Sequence, residues 1–197
     1  MRIPLFVSFT ALAAVLIAAP LARLDSVPDE ISRLDNCIQL RFLDAKAFGM
    51  RRILPQEFHG IRTFQPENST ERAVVEQLRH RGYEVALYLV GRNALAAQTP
   101  FKSLNLRRSG VQGPAFITPV HEGEFPPPDT LLDDGCRALL SFQKGDGYDI
   151  RKDGWTVAMR PLRASNHKCI QCHTTGASEL KIGDALGAAL YVYRRPE

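Results

Sequence analysis

The sequence predicts an α+β protein whose sheet is mixed or antiparallel. Two segments with helical periodicity, 28–49 and 68–82, come before the first stretch of strand character. Runs rich in β-branched and aromatic residues follow at 83–90, 155–160 and 186–194. The strands do not alternate regularly with helices, and the last two form a hairpin-like end, which is the pattern of α+β rather than α/β chains.

Residues 1–22 are almost wholly apolar after Arg2, broken only by Ser8 and Thr10. They read as a secretory signal peptide or an uncleaved membrane anchor, since about 20 apolar residues can span a bilayer. Cleavage after Ala22 would put Pro20 at the −3 position, a poor site. The expected organisation is therefore an export segment over 1–22 and one domain over 23–197 with a helical N-terminal arm. In that arm Ile31, Leu34, Ile38, Phe42 and Ala45 recur at three- and four-residue steps, with Pro28 and Asp29 in the first turn and Gly49 beyond the end. Cys37 lies one position off this stripe.

The second helix carries sharper signals. Asn68 or Ser69 can cap it, Glu71 is placed to complete a capping box with Asn68, and Gly82 closes it after His80, which suits the last turn. Tyr83 to Val90 is a strand stopped by Gly91, and 92–113 is loop-like. Ala115 to Thr118 is a short strand between Pro114 and Pro119, and 121–129 is a turn or polyproline passage. Thr130 to Phe142 forms a helix carrying Cys136, and 145–154 is polar and turn-rich. Trp155 to Arg160 and Leu186 to Arg194 complete the sheet.

The chain has 197 residues, 45% apolar and 23% charged, with a formal charge of +4. Its basic pairs (Arg51-Arg52, Arg107-Arg108, Arg194-Arg195) are isolated and its aromatic content is 8%, so neither a basic patch nor a base-stacking platform for nucleic acid is present.

The chemistry is concentrated at Cys169-Ile-Gln-Cys172-His173. Cys-x-x-Cys-His is the attachment signature of haem c: two thiols at this spacing form thioethers with both vinyl groups of one porphyrin, and the adjacent imidazole becomes the proximal iron ligand. The competing readings are a thioredoxin-like redox pair, which needs a βαβ unit, and half a zinc site, which needs a second Cys/His pair nearby. Export fits the haem reading, because covalent haem is attached outside the cytoplasmic membrane. Periplasmic or other extracytoplasmic placement is expected, soluble or held to the inner membrane through residues 3–22.

Residues 160–194 add a second signal. Arg160-Pro161, Ala164, Cys169, Cys172, His173, Lys181, Gly183, Asp184, Gly187 and Ala188 form a strand running into the haem motif, then a Lys-x-Gly-Asp-x-x-Gly-Ala turn opening the closing strand. This resembles the family of exported single c-haem proteins with a PAS-like α/β domain; Thr174 departs from the Gly often found after the motif. The resemblance implies a PAS-like sheet with an N-terminal helix, and a role as a small cytochrome or as the sensing part of a signalling protein. It also implies that a Cys on the N-terminal helix, here Cys37, can be the distal ligand, in which case thiolate donation lowers the haem potential.

The residues themselves leave the sixth ligand open. No Met, His or Cys occurs among the 24 residues after His173, so a distal ligand of those types comes from earlier in the chain. His167 is tethered beside the motif. Met159, His121 and His59 are candidates, although Met on a strand suits a core and the two His suit a surface. Cys37 has two further readings, a disulfide with Cys136 and a buried thiol. Arg160 and Arg163 flank the motif and can pair with haem propionates or face solvent.

The leading expectation is an envelope c-type haem protein that passes single electrons to a redox partner protein, with one covalent haem. A haem-based sensor of gas or redox state is the second reading, and a disulfide-stapled binding domain without haem the third. No acid/base pair or substrate pocket marks the chain as an enzyme.

Overall fold

The computed structural model describes residues 27–43, 53, 63–91, 111–121, 131, 138, 142, 147–173 and 180–196. Residues 1–22, expected to be an export segment, His59, Cys136, most of the helix expected over 130–142 and the turn expected over 121–129 beyond His121 lie outside them. No helix among the described residues is long and apolar enough to cross a membrane.

Helix α1 (Asp29–Leu43) begins where Pro28 accepts the Ile31 N–H at 2.9 Å, with Asp29 and Glu30 at its positive end and Arg41 at its negative end. Ile31, Leu34, Cys37 and Ile38 are buried. Helix α2 (Ser69–His80) is capped by Asn68, whose Oδ1 accepts the Glu71 N–H at 2.9 Å. It ends as its sequence dictates. Gly82 takes φ +72°, Gly82 N–H donates to Arg79 at 2.9 Å, and Tyr83 N–H donates to Leu78 at 3.0 Å.

The remaining elements are β1 (Glu84–Gly91), β2 (Val111–Phe116), β3 (Tyr148–Lys152), β4 (Trp155–Arg163), the short helix α3 (His167–His173) and β5 (Ala185–Arg194). The five strands form one sheet in the order β2-β1-β5-β4-β3, every neighbouring pair antiparallel. Of the two arrangements the sequence allowed, the strands adopt the antiparallel one.

Both faces are covered, so the central strands are buried on both sides. Val85, Leu87, Leu89, Ala158, Leu162, Ala189 and Tyr191 pack against Ile31, Leu34 and Ile38 of α1 and Val74, Val75 and Leu78 of α2. The alternate residues Ala86, Tyr88, Val90, Trp155, Val157, Met159, Leu190 and Val192 pack with Leu131, Ala138 and Phe142, all three helical. The period-2 alternation of the strands therefore sorts one sequence into two apolar layers.

Two boundaries differ from expectation. Residues 148–152, read as part of a polar turn-rich stretch, form β3, because Asp153 (φ 50°) and Gly154 (φ 78°) make a two-residue hairpin turn into β4. An Asp-Gly pair followed by a strand is a hairpin signal, and it was there to be read. Strand β2 starts at Val111 and contains Pro114, which an edge strand tolerates because its outer side needs no N–H donor.

Candidate haem-attachment site

The Cys-x-x-Cys-His run lies on α3, at the end of the sheet where β4 leaves and β5 returns. Asn166 caps this helix: its Oδ1 accepts the Cys169 N–H at 3.2 Å. The Cys169 Sγ lies 3.7 Å from Ser165 Oγ and 3.5 Å from Asn166 Oδ1, so its thiol is held at the helix start. Positions 169 and 172 stand one turn apart on α3, and His173 is the last residue of the helix.

The flanking strands bear on the competing readings. Strands β4 and β5 are antiparallel neighbours joined through α3, so the motif is not part of a βαβ crossover of the thioredoxin type.

The closing segment explains its own spacing. Ala164 N–H donates to Asp184 and Gly183 N–H donates to Ala164, both at 2.9 Å, which extends the β4–β5 pairing into the turn. Asp184 Oδ2 accepts the Lys181 N–H at 2.9 Å, and Gly183 takes φ +95°, where a side chain is strained. Gly187 faces Gly91, and a Cβ there would sit 2.4 Å from the Val90 carbonyl oxygen. Gly183, Asp184 and Gly187 thus each have a backbone reason, whereas Lys181 enters only through its N–H, which any residue but Pro supplies.

Beside α3 runs a groove of about 330 Å³, at the small end of ligand sites. The second half of α1 forms one wall with Asp35, Gln39, Leu40, Phe42 and Leu43, and Pro161, Arg163, Ala164 and Ser165 form the other. Ser165 joins the groove to the Cys169 thiol. The floor is fixed by hydrogen bonds. Tyr191 Oη donates to Asp35 Oδ1 at 2.9 Å, and Gln39 Nε2 donates to Asp35 Oδ1 at 3.1 Å and to the Pro161 carbonyl at 3.2 Å. Burial pushes the Asp35 carboxyl above its ordinary value against the pull of the Tyr191 and Gln39 hydrogen bonds.

The fit to a covalent haem is therefore chemical and partial. The Cys169 thiol lies 3.7 Å from Ser165, a residue of a groove with apolar side chains on one wall and Arg163 on the other. Leu40, Leu43 and Asp35–Gln39 are features that sequence reading missed. The one available signal was that Leu40 and Leu43 interrupt an otherwise polar flank of α1.

The remaining candidates are dispersed. Arg160 binds Asp149 at 2.6 Å on the α1 face of the sheet, whereas Arg163 donates to the carbonyls of Gly183 (2.9 Å) and Phe142 (3.2 Å). The two guanidinium groups do not converge. Met159 is fully buried among Trp155, Leu131 and Phe142, in the apolar layer opposite α1 and α2. His121 is exposed and its Nδ1 pairs with Glu84 Oε1, at the far end of β1 from α3. Glu84 and Gly91 bound that strand, and its eight residues span roughly 25 Å. His167 opens α3 and is exposed.

Cys37 is buried and unbridged. Its stripe on α1 holds Arg33 and Arg41, one turn to either side, which reach Gln77 and Glu71 of α2. Burial, with Glu71 nearby, pushes its thiol upward. Of the groove-lining residues, Gln39 lies about 160° around the helix axis from Cys37 and Leu40 about 60°; Cys37 itself does not line the groove.

Comparison with known proteins gives no match: no protein-family model, no curated protein and no solved structure corresponds to this chain.

Proposed function

We propose that the chain is an extracytoplasmic c-type haem protein, with a PAS-like domain that holds one covalent haem and passes single electrons to a partner protein. Cys169 and Cys172 are its anchors and His173 its proximal ligand. The carrying observation is that an intact Cys-x-x-Cys-His run occupies a short capped helix beside a groove with apolar side chains. The antiparallel sheet with helices packed on it, and the backbone logic of the Lys181–Gly187 turn, are compatible with the PAS-like layout that the resemblance implies. Haem supplies the one-electron iron couple when bound; the protein's part is to hold it, restrict solvent and set its potential.

Among the three readings of Cys37 we favour the buried thiol. Its stripe faces α2, and a thiol pushed upward by burial is a reluctant thiolate. Arg163 lines the groove and Arg160 does not, so Arg163 is the better placed of the two for a propionate; both guanidinium groups already hold protein partners.

The test is the pyridine haemochrome spectrum of protein exported in the presence of haem-attachment machinery. A c-type band is expected in the parent, and Cys169→Ala/Cys172→Ala loses covalent haem. A parent without the band sinks the reading. A sensor of diatomic gas is the second reading, favoured by the leucines of the groove wall. Ready binding of carbon monoxide selects it, and a six-coordinate haem indifferent to the gas selects electron transfer.

A further inference from the structure

Among the described residues, the large apolar side chains left exposed are Leu40 (65%), Leu43 (55%) and Ile182 (54%). A single exposed leucine is ordinary. These three are not scattered. Leu40 and Leu43 line the groove against Ala164 and Ser165, and Ile182 lies in the turn whose neighbours Gly183 and Asp184 are hydrogen-bonded to Ala164. Leu40 and Leu43 thus lie where β4 runs into α3, and Ile182 lies in the turn bonded to that point. Elsewhere α1 turns Ser32, Arg33 and Asn36 to solvent, as a solvated helix should.

We propose that Leu40, Leu43 and Ile182 are the apolar contact surface of the haem anchored at Cys169 and Cys172, so that α1 meets the cofactor with leucines and not with the Cys37 thiol. This rests on the c-haem reading. A thioether at Cys169 confines the porphyrin to the neighbourhood of that sulfur, and the sulfur lies 3.7 Å from Ser165, a groove residue. A flat apolar plate on a short tether is the occupant that exposed leucines at this place fit. Cys37 stands on the stripe of α1 whose neighbours Arg33 and Arg41 reach α2, and it does not line the groove.

The experiment uses the matured haem protein and four single variants: Leu40→Glu, Leu43→Glu, Ile182→Glu and, as a control of equal charge change, Ala73→Glu on the exposed side of α2. All four positions are exposed, so folding is retained and is checked by circular dichroism. A carboxylate beside the haem favours ferric iron. At a fixed potential the ferric-to-ferrous ratio therefore rises on the order of threefold in the first three variants, and stays at the parent value in Ala73→Glu. Cys37→Ala keeps the Soret and ligand-field bands of the parent. If the groove variants behave like Ala73→Glu while the haemochrome confirms haem, this surface is wrong and the c-haem reading stands. Altered axial-ligand bands in Cys37→Ala also overturn it. A parent without haem overturns both.

Discussion

Arg41 shows how a single residue ties α1 to the rest of the molecule. Its side chain is 6% exposed yet carries a full charge, which burial alone would make costly. Nε and Nη2 bind the Glu71 carboxylate at 2.9 and 2.5 Å, Nη2 also reaches the Gln65 carbonyl at 2.9 Å, and the guanidinium lies over the Phe64 ring at 4.7 Å. Removing one partner leaves the other buried and unpaired, so Glu71→Ala should lower unfolding free energy by about 3 kcal/mol, read from chemical denaturation. Burial pushes the Glu71 carboxyl up, but Arg41 and the N–H groups of Glu67 and Asn68 outweigh it and hold the carboxyl below its ordinary value of 4.5. A depressed carboxylate stabilises the fold above its unfolded-state value, and that contribution is lost as pH falls through the lower folded-state value. The stability difference between the parent and Glu71→Gln should therefore be flat between about pH 6 and 8 and shrink in acid below the ordinary carboxylate range. A difference that grows in acid would refute the pair.

Among the elements, the turn into β5 and the strand it opens are the most tightly specified. Gly187 is hard to replace for a steric reason: a Cβ would press on the Val90 carbonyl from 2.4 Å, and that carbonyl is backbone at the paired end of β1, not a side chain that can swing away. Gly187→Ala should cost about 2–3 kcal/mol, whereas Gly154→Ala, with nothing within 4 Å, should cost only the strain of its positive φ. Equal thermal shifts for the two would contradict this account.

Element by element, legibility followed the reach of the signal. Helix α2 was readable because Asn68, Glu71 and Gly82 act on backbone groups a few residues away, and the structure makes those bonds. Strands β1, β4 and β5 were readable because both faces are buried and apolar runs result. Strand β3 was obscured by its charges, although Asp153-Gly154 marked it. The Cys-x-x-Cys-His run was legible because its residues are contiguous in the chain. The groove was not, because Leu40 and Ser165 meet only through the folded sheet. Strand parity does not reach Arg163, because a register shift falls between Leu162 and Arg163; Arg160 and Arg163 bind different partners.

Across the whole molecule, the sheet separates two ends with different chemistry. One end holds Glu84 between His121 and Arg194, an ionic clasp in which burial pushes the carboxyl up and the His121 and Arg194 hydrogen bonds hold it below its ordinary value. The other end holds α3, the groove and the exposed leucines. A cofactor fixed at Cys169 would thus cover the end where, among the described residues, large apolar side chains are left exposed, on a scaffold locked by the Asp35–Tyr191 hydrogen bond. The intact mass of the exported protein tests that most directly. The mature polypeptide should carry the added mass of one haem, retained after denaturation and absent from Cys169→Ala/Cys172→Ala. A mature, exported parent whose mass is that of the polypeptide alone would contradict the account.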